Sequence, residues 1–391
     1  MMNLLGAQPV FTKTKNGNYV MEIDNSFFDI DEEVKTVMLA LARAKNYSQA
    51  TDLYNEYTQE VHSEEDFTYY STELLKKFDL NNKKKSFLLF EKILIPEKTA
   101  GTISQLISFL FYPPLFWIAF SSLTIFSVYN IFFDASTNNN GNFSVSIIYT
   151  FALYFVTILF HEFGHVAACR RFTDKNGGIG FGIYILYPVF YSNISAVWHA
   201  TKQQKVIANL AGIYMQLWFV LVFYIAGTYT GNDFFVAFSK VLVYMCFIQI
   251  LPFIRSDGYW LLSDLTGVAN LLDKSGKKVN DFLKHPFSFF NSKNYIHYFL
   301  FLYGVFNLFF VISFSYYEIR YNYAAILDYP FYVWGLIRQF IVGDWHKIEF
   351  DVKYFSVTLF YYIIYSYGKQ IFQKIFGKPE TEKAKFQDLH P

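Results

Sequence analysis

Cysteine is nearly absent from this 391-residue chain: there are two, Cys169 and Cys246. Two isolated thiols exclude a disulfide framework and a Cys-rich zinc finger, and both read as reduced packing residues. The chain also lacks an excess of either charge, with 33 basic against 32 acidic side chains. No global field therefore draws it to nucleic acid or to an acidic partner. The start, Met1 to Tyr19, has no charged stretch followed by a sustained apolar run, so no cleavable signal peptide is expected and the N-terminal segment should stay in the cytoplasm. No internal repeat of fixed period appears, which argues against the inverted-repeat transporter plan.

What the chain has is apolar residues, 53% of the total, with 47 Phe and 32 Tyr among them. That composition belongs to a membrane protein, and lipid-facing and interfacial packing account for the aromatics. The expected fold is an α-helical polytopic membrane protein of about six spans with a small N-terminal α+β cytoplasmic domain. Residues 1–91 are polar and mixed, with an alternating stretch at Tyr19 to Ile23 and a helix start at Asp29 to Glu33. A second helix is expected over Asp66 to Phe78.

Residues 92–272 form the expected membrane core. Span one covers about Gln105 to Phe133, with Pro113 and Pro114 kinking it or marking its start near Tyr112; span two runs from Ser144 to Ala168, span three from Val206 to Gly227, and span four from Phe234 to Phe253. The loop Asp134 to Asn142 has no Lys or Arg, whereas Arg170, Arg171, Lys175, Lys202 and Lys205 follow span two, so its C-terminal end faces the cytoplasm. Between spans two and three, Gly177 to Trp198 is too broken by Gly and Pro188 for a helix and reads as a hairpin or re-entrant element. A short helix, Gly258 to Leu272, closes the core. Residues 273–391 supply a lysine-containing cytoplasmic stretch to about Asn294, span five from His297 to Tyr316 and a short interfacial or core-filling run from Phe331 to Val342. The sixth span, Tyr354 to Phe376, and a basic tail complete them.

The chemistry is concentrated in Phe160-His161-Glu162-Phe163-Gly164-His165. Two histidines at i and i+4 share one helical face, where both rings reach a single zinc ion, and Glu162 can accept a proton from a water that the metal acidifies. Ionisable groups inside an apolar segment are costly unless paired or functional, which gives the short pattern its weight. A catalytic zinc takes three protein ligands, and Asp257 is the expected third. It follows span four, where Pro252 breaks the helix and Gly258 permits a tight turn. Asp264 and His199 are fallback ligands. A di-iron desaturase or hydroxylase would need about eight clustered histidines, whereas His62, His199, His285, His297, His346 and His390 are scattered singly.

With these residues the chain resembles the site-2 protease family of intramembrane zinc metalloproteases, which pairs HExxH in one membrane helix with an Asn-x-x-Pro-x-x-x-x-Asp-Gly motif in a later one. The match covers about Ser144 to Leu272. Gln249, Pro252, Asp257 and Gly258 keep the second spacing, with Gln249 in place of Asn. Ala211-Gly212-Ile213-Tyr214-Met215-Gln216 resembles the family's Ala-Gly-Pro-x-x-Asn helix, with Ile213 for Pro and Gln216 for Asn. The resemblance implies Zn2+ as cofactor, metal ligands His161, His165 and Asp257, and Glu162 as general base. Gln216 and Gln249 are implied as amides that hold the substrate strand or polarise the scissile carbonyl. HEFGHVAACRRF followed by PFIRSDGYWLLSDL is closest to a bacterial branch described as peptide zinc metalloproteases, which implies peptide maturation or export in a bacterial cell membrane, beside an exporter or modifying enzyme. The layout of residues 1–91 resembles the small winged-helix chaperones that hold leader peptides. Two other functions fit the same residues: regulated cleavage of a transmembrane signalling protein, and a non-catalytic zinc-binding adaptor or export subunit.

Overall fold

The structure, a computed structural model, describes residues 4–5, 8–13, 19–23, 26–78, 90–133, 147–184, 187–253, 255–268, 270–290, 292, 294–343 and 352–376. Two compact units divide it: Met1–Tyr184 with Pro188–Ala269, and Ile185–Tyr187 with Asn270–Pro391.

The first unit begins with an antiparallel sheet of β1 (Val10–Lys13), β2 (Tyr19–Ile23) and β3 (Ser26–Ile30) in that order. Three helices follow: α1 (Glu32–Arg43), α2 (Tyr47–Thr58) and α3 (Glu64–Phe78). Asp31 caps α1 by accepting from the Val34 amide, and Asn46 caps α2 by accepting from Gln49. These side chains satisfy amide donors that a helix start leaves open. Met21, Ile23, Val37, Met38, Leu41 and Phe67 form a core of their own. The expected small α+β region is therefore present. Glu22 ties it to the rest of the unit, accepting from Lys175 Nζ at 3.1 Å and pairing with His199 Nε2 at 3.0 Å.

A second sheet was only half legible. Strands β5 (Ile179–Tyr184) and β6 (Tyr187–Ser192) occupy the expected hairpin region, but β4 (Phe90–Ile95), from the end of the presumed N-terminal segment, completes the sheet in the order β4-β5-β6. Ile93 faces Gly180 across that pairing, and a bulge follows before Ile95.

Next come α4 (Glu97–Ile107), α5 (Pro113–Phe132), α6 (Ile147–Thr173), α7 (Lys202–Thr230), α8 (Asp233–Ile250) and α9 (Asp257–Thr266). Pro113 and Pro114 occupy the first turn of α5 rather than kinking a longer helix, because the first turn has no use for their missing amide hydrogens. Helix α7 opens on a reciprocal cap between Thr201 and Gln204 and ends at Gly231, whose φ of 65° suits glycine. It is the central helix: Ile207 to Leu217 are buried without interruption. A buried hydrogen bond, Asn130 Nδ2 to Ser239 Oγ at 2.9 Å, joins α5 to α8.

The second unit contains α10 (Leu271–Lys284), the short α11 (Pro286–Phe289), α12 (Tyr295–Tyr321), α13 (Tyr323–Val342) and α14 (Val352–Phe376). Here the sequence reading needs correction. The run Phe331 to Val342 is not a short separate segment but the second half of α13, which passes through Pro330. Proline cannot donate to the carbonyl four residues back, Ile326. Tyr361 Oη from α14 donates to that oxygen instead, at 2.9 Å. Among the described residues five helices, not six, are long and apolar enough to cross a membrane: α5, α6, α7, α8 and α12. Helix α14 occupies the expected sixth segment, but Lys353 and its tyrosines, Tyr354, Tyr361, Tyr362, Tyr365 and Tyr367, dilute the apolar run.

Candidate metal centre

His161 and His165 lie one turn apart on α6 and are 6% and 5% exposed, so their polar atoms must find partners inside the protein. The Nδ1 atom of His165 is 2.8 Å from the carbonyl oxygen of Ala208 on α7, and that of His161 is 3.3 Å from Gln216 Oε1. A carbonyl oxygen only accepts, so each Nδ1 carries the hydrogen and each Nε2 presents a lone pair. The two Nε2 atoms are 3.1 Å apart. Asp257 joins them from the first turn of α9: Oδ2 is 3.2 Å from His161 Nε2 and Oδ1 is 3.5 Å from His165 Nε2.

Three electron-donating atoms thus converge, all within 4.8 Å of one another. Lone pairs at such distances repel unless a cation lies between them. Asp257 Oδ2 is buried and has no hydrogen-bond partner, as expected of an atom whose partner is a metal ion. The group can hold a metal ion.

Two glycines make the convergence possible. A Cβ at Gly212 of α7 would sit 2.4 Å from His161 Nε2 and 2.5 Å from His165 Nε2, in the space of the two rings. At Gly258 a Cβ would meet the Ile250 carbonyl oxygen at 2.0 Å, so only glycine lets α9 start this close to the end of α8. The turn between them is braced by Ser256 Oγ, which donates to Leu251 O at 2.8 Å.

Glu162 is 7% exposed, with Oε1 4.0 Å from His161 Nε2. That is beyond direct hydrogen bonding but allows the carboxylate to reach a water held between it and the metal position. Gln216 lies behind His161, against Nδ1. Gln249 is close to the C-terminal end of α8, with a buried Oε1 that accepts no hydrogen bond among the described residues.

The two fallback ligands are elsewhere. His199 pairs with Glu22, and Asp264 Oδ2 accepts from Asn209 Nδ2 at 2.6 Å. Burial pushes the Asp264 carboxyl up, opposed by the Asn209 hydrogen bond and by Lys205. Lys202 Nζ donates to the Leu265 carbonyl on the same helix. These contacts clamp α9 to α7 and so fix the approach of Asp257. Asn209 was missed from sequence, although Asn209, Gly212 and Gln216 recur at i, i+3 and i+7, a small and polar stripe on an otherwise apolar helix. Compared with models of known protein families, with curated proteins and with solved structures, the chain matches none.

Proposed function

We propose that this chain is a membrane-embedded zinc metalloendopeptidase that hydrolyses peptide bonds, with Glu162 as general base, in the maturation or export of a peptide. The carrying observation is the meeting of His161, His165 and Asp257 beside a buried Glu162. A tetrahedral ion with bonds of about 2.0–2.1 Å holds its ligands about 3.3 Å apart. The separations of 3.1, 3.2 and 3.5 Å bracket that value, which supports zinc. Imidazole and carboxylate donors favour it over magnesium or calcium. The resemblance of HExxH and of the Gln249 to Gly258 segment to site-2 proteases supports the same reading.

When bound, zinc lowers the pKa of a coordinated water from 15.7 to about 7 and polarises the scissile carbonyl. His161, His165 and Asp257 hold the ion, and Glu162 takes the proton of the attacking water and returns it to the leaving amine. The substrate is an extended strand entering beside β5 and β6, since the carbonyls of a helix are already hydrogen-bonded and shielded. Five apolar helices support a multi-pass membrane protein, the resemblance makes that membrane a bacterial one, and Arg170 and Arg171 in the last turn of α6 with Lys175 beyond it favour a cytoplasmic side for its histidine end. The three strands and three helices at the N-terminus support a module that holds the leader of a substrate peptide and raises its local concentration at the site.

The test is zinc content and peptide cleavage of the detergent-solubilised chain, in parent, Glu162→Gln, His165→Ala and Asp257→Ala forms. Loss of metal is expected in the last two. The Glu162 variant should keep metal and lose cleavage by about 10²–10⁴-fold. Cleavage unaffected by Glu162→Gln would leave a zinc-binding adaptor as the better reading.

A further inference from the structure

Resting on that metal-site reading, we infer that Gln216 is a positioning residue: its carboxamide oxygen keeps the His161 hydrogen on Nδ1, so that Nε2 is free to ligate. The two histidines are held differently. His165 is oriented by a main-chain carbonyl, Ala208 O, which no substitution removes. His161 is oriented by a side chain, Gln216 Oε1 at 3.3 Å, and Gln216 is fully buried.

An amide can present either end to an imidazole. If Gln216 turned its Nε2 to His161, that nitrogen would donate to Nδ1, the ring hydrogen would move to Nε2, and His161 would cease to be a ligand. Cys246 selects the productive end, because its Sγ donates to the same Oε1, at 3.6 Å. The oxygen therefore receives two donors, while Gln216 Nε2 is buried without a hydrogen-bond partner. A buried amide nitrogen left open is costly, and it is tolerated here because the reversed amide would remove a metal ligand. This differs from the substrate-binding role that the resemblance implied: the oxygen of Gln216 reaches the back of His161 and acts through that ring.

Cobalt titration of the full detergent-solubilised chain, followed by its visible absorption and by zinc competition, tests the inference with Gln216→Met and Gln216→Glu. Methionine approximates the volume and removes the acceptor; glutamate keeps an acceptor and cannot be reversed. Gln216→Met should weaken cobalt binding by about 10–100-fold and alter the spectrum, the usual effect of losing a partner of a ligating histidine. Gln216→Glu should restore binding to within a few-fold of the parent. Thermal unfolding of the metal-free proteins serves as the packing control, and all three should unfold in a cooperative transition well above the temperature of the titration. Parent-like affinity in Gln216→Met, or equal losses in both variants, would overturn the inference. A parent that binds no cobalt would sink the metal site and this inference with it. A parent that binds cobalt and cleaves no peptide would sink the protease alone.

Discussion

The apolar 18-residue stretches of helices α7 and α12 are almost equal in mean hydropathy, 1.9 and 1.8, yet 67% of that stretch is buried in α7 against 17% in α12. Hydropathy reports what a helix can be surrounded by; it does not report whether lipid or protein surrounds it. The difference lies in small and polar residues. Helix α7 carries Asn209, Gly212 and Gln216 on one stripe, and that stripe faces the histidines of α6 and, through Asp264, helix α9. Along much of α12 the residues are large and exposed, among them Phe306, Phe309, Ile312 and Tyr316. Close approach of backbones needs small side chains, and buried amides need partners, so a polar stripe on an apolar helix marks packed protein.

The sharpest test of what sets α7 apart is one substitution made at its packed face and at an open helical position outside α12. Gly212→Ala places a methyl group on the two imidazoles, whereas at Gly335 of α13 a Cβ meets nothing within 4 Å. Metal affinity should fall in Gly212→Ala by more than the ~100-fold upper end for losing a supporting residue. Gly335→Ala should leave binding intact and stabilise the helix by about 0.5–1 kcal/mol. Metal titration and thermal unfolding read both, and tight binding in Gly212→Ala would show that α7 is not pressed against the site.

The Asn209–Asp264 pair gives a smaller effect and tests the clamp. Asn209→Ala strands a buried carboxylate, at a cost of about 1–3 kcal/mol. Asp264→Asn should act oppositely at neutral pH. Burial raises the Asp264 pKa in the fold, so the folded state binds more protons than the unfolded one between the ordinary and the raised value. Stability is therefore highest below the ordinary value and falls as pH rises through that window. An asparagine can still pair with Asn209 and removes the titration. Unfolding followed across pH should show a flatter profile for Asp264→Asn; an unchanged slope would mean that Asp264 is not held as described.

What was legible in the sequence divides along the same line. The spans α5 to α8 and α12 follow from hydropathy, and the start of α5 from Pro113 and Pro114, because each signal is local. The i, i+4 histidines and Asp257 were legible because a charged group at the edge of an apolar run has few structural uses. Three features were not. Strand β4 joins a sheet with residues about ninety positions later, and nothing in Phe90 to Ile95 alone points to that partner. The continuity of α13 through Pro330 depends on Tyr361 from another helix. The Asn209 pairing depends on the return of α9 to α7, which only Gly258 permits.

The smallest expected effect probes the exposed side of the comparison. Phe309 is 67% exposed on α12, and Phe309→Leu replaces one apolar surface group by another of smaller size. Substitutions away from caps, cores and buried networks usually stay within about 0.5 kcal/mol, so thermal unfolding of this variant in lipid nanodiscs should coincide with the parent. Val220 on α7, fully buried in a cluster with Phe238 and Leu242, is the matching control: Val220→Ala should cost roughly 1–3 kcal/mol through the methyl groups it removes. Equal losses at the two positions would mean that the exposed face of α12 is covered by protein in the native assembly, and the contrast between the helices would then be one of partners rather than of lipid.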